Sequence, residues 1–409
     1  LPRIAFLEPF VLIRFNMNAS LSYDFLSPQR IVFGWGRRRE VGALGRTLGQ
    51  RAFLICGLPP EVAKAVIDEI ADLLRAEGIE PVPLAALLHE PEVGDVDRVA
   101  ADIRGYHPGE GDFLLAVGGG AAIDLAKATA AMATNGDSPT VKDYLEGVGR
   151  GLRLSQEPLP VLAMPSTAGT GAEATKNAVI SSYDPPFKKS LRDDRLVPRI
   201  ALLDPQLTVT VPPSVTAASG MDAITQLIES YVSRKSQPIP RALAAQGLKM
   251  AAPAIVEAVA NGSSQPAREA MAHAALLSGM ALANSGLGMA HGVAAALGTH
   301  CRVPHGAACA LMLPAAIRAN REAAQADFAR LAHLLIGRSF QNPAEAANAF
   351  QEEIEGLCDR VGVPRRLGSL GVAREQIPLL VKSSRGASMS GNPREISDAE
   401  LTVILEGLL

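Results

Sequence analysis

Near Pro212 the hydrophobic pattern of the chain changes period, and that change limits the folds open to it. From about residue 29 to 210, short apolar runs alternate with amphipathic stretches. "RIVFG" (30–34), "RAFLICG" (51–57), "DFLLAVGGG" (112–120), "PLPVLAMPST" (158–167) and "RIALLDP" (199–205) read as buried strands. Between them, "PEVAKAVIDEIADLLRAEG" (60–78), closed by Gly78 as a C-cap, and "AAIDLAKATAAMAT" (121–134) have helical spacing. Strands alternating with helices predict a mostly parallel sheet covered on both faces. Beyond Pro212, "SVTAASGMDAITQLIESYVS", "PRALAAQGLKMAAPAIVEAVA", "AREAMAHAALLSGMALANSG" and "PAEAANAFQEEIEGLCDRVG" are alanine-rich, helical in period and free of strand-like alternation. The expected architecture is a Rossmann-like α/β domain over residues 17–209 and an all-α domain over residues 210–409, with the boundary near Leu207–Pro213. A length of 409 residues agrees, since one hydrophobic core rarely organises so long a chain.

Composition removes several classes of function. A net charge of −3 offers no electrostatic basis for binding nucleic acid or an anionic membrane, and 4% aromatic residues leave little for base stacking. Four scattered cysteines, Cys56, Cys301, Cys309 and Cys358, contain no C-x-x-C pair, which argues against a disulfide framework and fits a reducing cytoplasm. Residues 1–16 are apolar but interrupted by Glu8 and Arg14, too short to span a bilayer and without a signal-peptide cleavage pattern. They read as a non-native leader or a misplaced start, and no transmembrane segment is expected later in the chain.

Three consecutive glycines, Gly118, Gly119 and Gly120, separate a buried strand from a helix. Such a turn admits a pyrophosphate close to the backbone, where the N–H groups of the helix start face its charge. A tight turn without a ligand accounts for the same glycines, because the pattern is not G-x-G-x-x-G. Asp124 and Lys127 lie in the helix that follows. A dinucleotide site also takes an acidic residue at a neighbouring strand tip to bind the adenosine ribose. Here "RAFLICG" ends in Gly57, which offers no carboxylate to repel a 2′-phosphate and so leans towards NADP.

His291 and His305 stand fourteen positions apart in "GMAHGVAAALGTHCRVPHGAACALMLP", among small apolar residues. Upstream, Asp222 and Gln226 are spaced i, i+4, so both side chains share one helix face. One carboxylate and two imidazoles suit a divalent metal with open positions, iron(II) first and zinc second. The alternatives are a helix-start carboxylate at Asp222, near Ser219, and a helix-start residue at His305. His89, His107, His273, His300 and His333 lack such context and read as structural or exposed.

These motifs resemble those of the iron-containing (group III) alcohol dehydrogenase family, which typically reads GGGS-x-x-D, T-T-x-G-T-G-x-E, G-x-D-A-x-x-H and H-G…P-H-G. This chain shows "GGGAAID" (118–124), "STAGTGAEAT" (166–175), "GMDAITQ" (220–226), then "HG" (291–292) and "PHG" (304–306), in that order. The resemblance implies hydride exchange between NAD or NADP and an alcohol or aldehyde, with a bound divalent metal, in a homodimer or larger oligomer. It implies that Gly119, Gly120 and Ala121 face the pyrophosphate, with Asp124 in the same motif. Ser166, Thr167 and Thr170 would lie along the cofactor, Lys188 on the nicotinamide side and Leu207 at the adenine. Asp222, position 226, His291 and His305 would hold the metal.

Three departures from the family pattern stand out. Gln226 replaces the usual histidine ligand, Ala295 replaces a second histidine near the substrate, and Ala121 replaces the serine after the glycines. An amide oxygen is a poorer donor than imidazole, so altered or weaker metal binding is expected. Three further readings stand beside this one. A maleylacetate-reductase-like enzyme typically carries asparagine where Asp222 stands. A dehydroquinate-synthase-like lyase needs a cationic cluster, for which only Lys188, Lys189 and Arg192 offer themselves. A cofactor-binding protein without its metal is the non-enzymatic case.

Overall fold

The computed structural model describes residues 22–409, so the leader expected at 1–16 lies outside the described residues. The first half contains β1 (Arg30–Phe33), α1 (Val41–Gly45), β2 (Arg51–Gly57), α2 (Pro60–Ala76), β3 (Glu80–Ala86), α3 (Val93–Gly105), β4 (Asp112–Gly118) and α4 (Gly120–Thr134). It continues through β5 (Val161–Pro165), β6 (Asn177–Tyr183), β7 (Pro186–Arg192) and β8 (Ile200–Leu203). Six strands form one sheet in the order β1-β8-β5-β4-β2-β3, and every pairing is parallel. The expected parallel sheet is therefore present.

Both faces of the sheet are covered, as the continuous apolar strands require. In β4, Phe113, Leu115 and Val117 pack with Val41 and Leu44 of α1 and Ile70 and Leu74 of α2. The intervening Leu114 and Ala116 pack with Val96, Val99 and Ile103 of α3 and with Ile123 of α4. All seven residues of β4 are buried, so the strand sits mid-sheet. Connections from β2 and β4 run in opposite directions across the sheet, making the gap between these two strands its topological switch point. Ligands of open α/β sheets bind outside the carboxyl ends of the strands at such a point. Here those ends are Gly57 and Gly118, paired directly across the gap.

The antiparallel hairpin β6–β7 stands apart from the main sheet and was not legible as strands. Its residues, NAVISSY and PFKKSLR, mix polar and apolar side chains without a buried run.

Among the described residues no strand follows β8. The helices are α5 (Pro213–Val232), α6 (Pro238–Ala260), α7 (Gln265–Ser285), α8 (Met289–Cys301), α9 (His305–Asn320), α10 (Gln325–Ile336), α11 (Pro343–Arg360), α12 (Ile377–Ser383) and α13 (Asp398–Gly407). Their main core joins Ile224 and Leu227 of α5, Leu248 and Ile255 of α6, Met271 of α7, Phe328 of α10 and Phe350 of α11. By length and composition one described helix, α6, could cross a membrane, and its Leu248, Ala251 and Ile255 face is buried against neighbouring helices.

The two halves meet where side chains are smallest. Gly171 adopts φ +60°, and a Cβ there would lie 2.5 Å from the Gly279 Cα of α7. A Cβ on Gly279 would in turn lie 2.2 Å from the Gly171 carbonyl oxygen. Two residues further on, Glu173 is buried, and desolvation lifts its carboxyl from the ordinary 4.5 to about 7. The folded chain thus keeps a proton on Glu173 that the unfolded chain releases as pH rises between those values. The free energy of unfolding falls across that window by up to about 3 kcal/mol from this group alone. Glu173→Gln should remove that loss, so urea midpoints of variant and wild type will be closer at pH 5 and further apart, with the variant higher, at pH 8.

Candidate active site

A carboxylate from α5 begins the site. Asp222 lies in the middle of a helix that starts at Pro213, which removes the helix-start reading for this residue. Its Oδ1 is 3.2 Å from His291 Nε2 and 3.9 Å from His305 Nε2. His305 is the first residue of α9, so it is at once a helix-start residue and a member of this cluster. Cys309, one turn along α9, brings its Sγ to 3.6 Å from His305 Nε2. One donor atom from each of Asp222, His291, His305 and Cys309 lies within 4.8 Å of the others. Three helices converge on a point surrounded by oxygen, nitrogen and sulfur donors.

The His291 ring is aimed by its second nitrogen. Glu229 accepts hydrogen bonds from the backbone N–H groups of Gly288 (3.0 Å) and Ala290 (2.7 Å) and from His291 Nδ1 (2.8 Å). It therefore caps the start of α8, which has no cap from its own N-cap residue, Gly288. With Nδ1–H committed to Glu229, Nε2, which faces Asp222, is the ring nitrogen left to ligate a metal once its own proton is given up. Gln226 also acts on Asp222. Its Nε2 lies 3.3 Å from Asp222 Oδ2, and its Oε1 accepts from Ser278 Oγ at 2.9 Å. Only the amide NH2 can face an ionised carboxylate, so the amide oxygen, the atom expected to ligate, is turned to Ser278.

Charges in the cluster are strongly coupled. Burial raises the Asp222 carboxyl, but the His305 and His291 rings outweigh it and hold the group at about 2. Burial disfavours a charged His291, yet Cys309, Asp222 and Glu229 raise it well above the ordinary 6.5. Burial first and the Lys188 charge second push His305 down to about 4, leaving a neutral ring. Burial pushes the Cys309 thiol up to about 12. The buried Nδ1 of His305 has no hydrogen-bond partner. A carboxylate, two imidazoles and a thiol, three of the four wholly buried, are a donor set that fits a divalent ion.

At the sheet's switch point the glycine turn fits a pyrophosphate. α4 begins at Gly120 without a side-chain cap, which leaves its first N–H groups available to an anion. A Cβ on Gly119 would lie 3.3 Å from Thr167 Oγ1, and one on Gly120 only 2.5 Å from Thr170 Oγ1. Both threonines therefore border the turn. Ser166 is buried beside it and donates its backbone N–H to the Gly118 carbonyl at 2.9 Å. Ala121 follows in the first turn of α4, and Leu207 is buried among the core residues on the α1–α2 side of the sheet. Gly57 has no room for a side chain, because a Cβ there would lie 2.7 Å from Ala122 Cβ.

Asp124 is turned away from this turn. It pairs with the fully buried Lys127 at 2.9 Å and accepts from the Val179 N–H at 3.1 Å, which ties α4 to the hairpin. Lys188, on β7, pairs with Glu90 at 2.6 Å and approaches Gly298 of α8.

The loop 166–171 joins the two regions. Thr167 and Thr170 touch the glycine turn, and a Cβ on Gly169 would lie 2.8 Å from Ser219 Cβ, one turn before Asp222 on α5. Gly306, next to His305, is packed as tightly against the Ala218 backbone. The donor cluster and the glycine turn thus flank one loop. His89, His107, His273, His300 and His333 lie outside the donor cluster, as expected. Two residues were not singled out from the sequence, Cys309 of the cluster and Glu229 beside it. Glu229 continues the 222, 226 spacing by one more turn, and Cys309 follows His305 at i+4.

Comparison with known proteins agrees with this layout. One family model, described as iron-containing alcohol dehydrogenase, matches residues 28–205. A second, for the C-terminal part of the Fe-containing alcohol dehydrogenase family, matches residues 216–409. A long-chain-alcohol dehydrogenase of Geobacillus thermodenitrificans is 33% identical over 390 residues, covering 93% of this chain and 97% of that protein. The chain belongs to the iron-containing alcohol dehydrogenase family.

As an iron-containing alcohol dehydrogenase it is an oxidoreductase of the alcohol–aldehyde class. Among solved structures, 1,3-propanediol oxidoreductase superposes with a TM-score of 0.88 at 30% identity, covering 95% of this chain and 100% of that one. Sulfoacetaldehyde reductase from Bifidobacterium kashiwanohense, solved in complex with NAD+, gives a TM-score of 0.83 at 30% identity, covering 95% and 99%. The family boundary at residues 205–216 coincides with the change of period near Pro212 and with the start of α5.

Removing a partner that orients a metal-bound histidine typically costs ten- to a hundredfold in metal affinity. In Glu229→Gln an amide NH2 can meet His291 Nδ1–H, which favours the wrong tautomer. Titration with zinc should show its affinity weakened by about that factor, while circular dichroism shows the helices retained.

Proposed function

We propose that this chain carries out metal-dependent hydride transfer between NAD(P) and an alcohol or aldehyde in the cleft between the sheet and the helices. The observation that carries the reading is the placement of the Asp222, His291 and His305 donors and the uncapped glycine turn on either side of loop 166–171. When bound, a divalent metal supplies Lewis acidity towards a substrate oxygen, and NAD(P) accepts or gives the hydride. Asp222, His291 and His305 would hold the metal, and Gly119, Gly120 and Ala121 the pyrophosphate. Ser166, Thr167 and Thr170 would line the cofactor, with Leu207 towards the adenine and Lys188 on the nicotinamide side. The two domains are residues 17–209 and 210–409.

The residues of the chain orient the reactants. Glu229 and Gln226 fix His291 and Asp222 in place before substrate arrives, so little reorganisation accompanies the reaction. Ala295, one turn after His291, offers no proton carrier, so a proton relay at that position is either absent, water-borne or supplied by another group. Among the charged groups, Lys188 and Glu90 lie near enough to bias His305 electrostatically. Their mutual pairing at 2.6 Å, and that of Arg192 with Glu146 at 3.0 Å, leave Lys189 alone uncommitted among the three candidate cations, too few for a phosphorylated acid. That favours an uncharged alcohol or aldehyde over the substrate of a dehydroquinate-synthase-like lyase. The protein is read as a cytoplasmic homodimer or larger oligomer; its four cysteines are free thiols, in keeping with a reducing compartment.

Oxidation of NADH and NADPH against a panel of aldehydes, with and without added Fe²⁺ or Zn²⁺, tests the reading. Metal-stimulated turnover is expected, and metal-independent reduction would remove the Lewis-acid role. NADP should bind at least as well as NAD, because the crowded Gly57 position excludes a ribose-binding carboxylate at that strand tip. Calorimetric titration showing a preference for NAD(H) beyond about tenfold, about 1.4 kcal/mol, would overturn the Gly57 argument.

A further inference from the structure

We propose that Cys309, not Gln226, supplies the fourth protein ligand of this metal site, as a thiolate, and that the site therefore selects zinc over iron. The inference rests on the metal-dependent reading above and goes beyond it in naming a ligand and a metal. Two observations carry it independently. The first is the donor geometry. Cys309 Sγ lies 3.6 Å from His305 Nε2, and it falls within the same 4.8 Å group as the Asp222 and His291 donors. The second is the occupation of Gln226, whose oxygen is engaged by Ser278 and whose NH2 faces Asp222. A ligand position left without imidazole thus coincides with a sulfur presented from the next helix.

The ordinary role of a buried cysteine is packing, as a small hydrophobe. The neighbours of Cys309, Ala308 and Ala310, are buried and apolar, so a methyl group at 309 would have served packing alone. The His305–Cys309 spacing instead places an imidazole and a thiol one above the other on α9. Coordination exchanges the S–H bond for a sulfur–metal bond, and the proton passes to solvent. No oxidant or reductant is needed. Asp222 and the Cys309 thiolate together then neutralise a divalent ion, where one carboxylate and neutral ligands leave a net positive site. Thiolate is a soft ligand that suits zinc, and with the mixed S, N, N, O set in place a substrate oxygen would enter as a fifth ligand, an expansion that zinc permits.

The test uses the whole chain loaded with zinc and, separately, with cobalt(II). X-ray absorption on the zinc protein should show one sulfur scatterer at about 2.3 Å together with lighter donors. The cobalt protein should show sulfur-to-cobalt charge-transfer absorption in the near ultraviolet, lost in Cys309→Ser although the other three cysteines remain. Loaded from an equimolar mixture of iron(II) and zinc under anaerobic conditions, the wild type should retain zinc. Metal bound without sulfur scattering overturns the proposal and leaves the metal-dependent reading intact. Retention of iron in that competition overturns the choice of zinc. Failure of the wild type to bind either metal overturns both. Because X-ray absorption needs only wild-type protein, the outcome does not depend on whether Cys309→Ser folds.

Discussion

The carboxylate of Glu229 holds together what the rest of the site needs. It is buried on α5, and it receives the first N–H groups of α8 together with the Nδ1 proton of His291. A buried carboxylate without partners would be strongly destabilising, and a helix start without a cap leaves orphan donors. Each deficit satisfies the other. The same contact that starts α8 also chooses the tautomer of His291, so helix geometry and ligand chemistry cannot vary separately. Asp222, two turns earlier on α5, then meets an imidazole nitrogen already aimed at it.

Small residues set the distance between the two halves. Gly169 against Ser219 and Gly171 against Gly279 bring loop 166–171 and the helices into close contact, and Gly306 against the Ala218 backbone joins α9 to α5. The turn at the end of β4 depends on the same economy of side chains, since Gly57, Gly118 and Gly120 all face atoms that leave little or no room for a Cβ. With both interfaces this close, the glycine turn and the donor cluster are fixed relative to each other through a single short loop. A hydride transfer requires that kind of fixed separation, because reaction depends on near-contact geometry between two bound groups.

How much of this was legible follows from the range of the interactions. The parallel sheet and the helical half were readable because burial on both faces leaves continuous apolar strands, and one-sided burial leaves a helical period. The clustering of Asp222, His291 and His305 was readable because a carboxylate or imidazole set among alanines and glycines is costly unless it is paired or coordinated. The β6–β7 hairpin was not, because a two-stranded ribbon with half-exposed faces leaves no buried run in the sequence. Asp124 looked like part of the glycine motif, but its partners, Lys127 and the Val179 N–H, are visible only once α4 is packed on the hairpin. Glu229 and Cys309 had the right helical spacing, yet spacing names a face and not what that face meets. Their importance comes from α8 and α9 folding back onto α5, a long-range event that no local pattern records.

Position 226 shows how a departure from the family pattern can leave the surrounding structure intact. The glutamine keeps a polar hold on Asp222 through its NH2 and on α7 through Ser278, so Asp222 Oδ2 is not left unpaired in the core. Replacement by an apolar residue would take that partner from the carboxylate oxygen, at a cost of the order of 1–3 kcal/mol. Glutamine therefore preserves the orientation of the carboxylate even where it gives up an imidazole. What it does not preserve is a nitrogen donor directed at the cluster. The chain can keep a four-donor set only if another side chain reaches the same point, and the buried sulfur of Cys309 does so from one helical turn beyond His305.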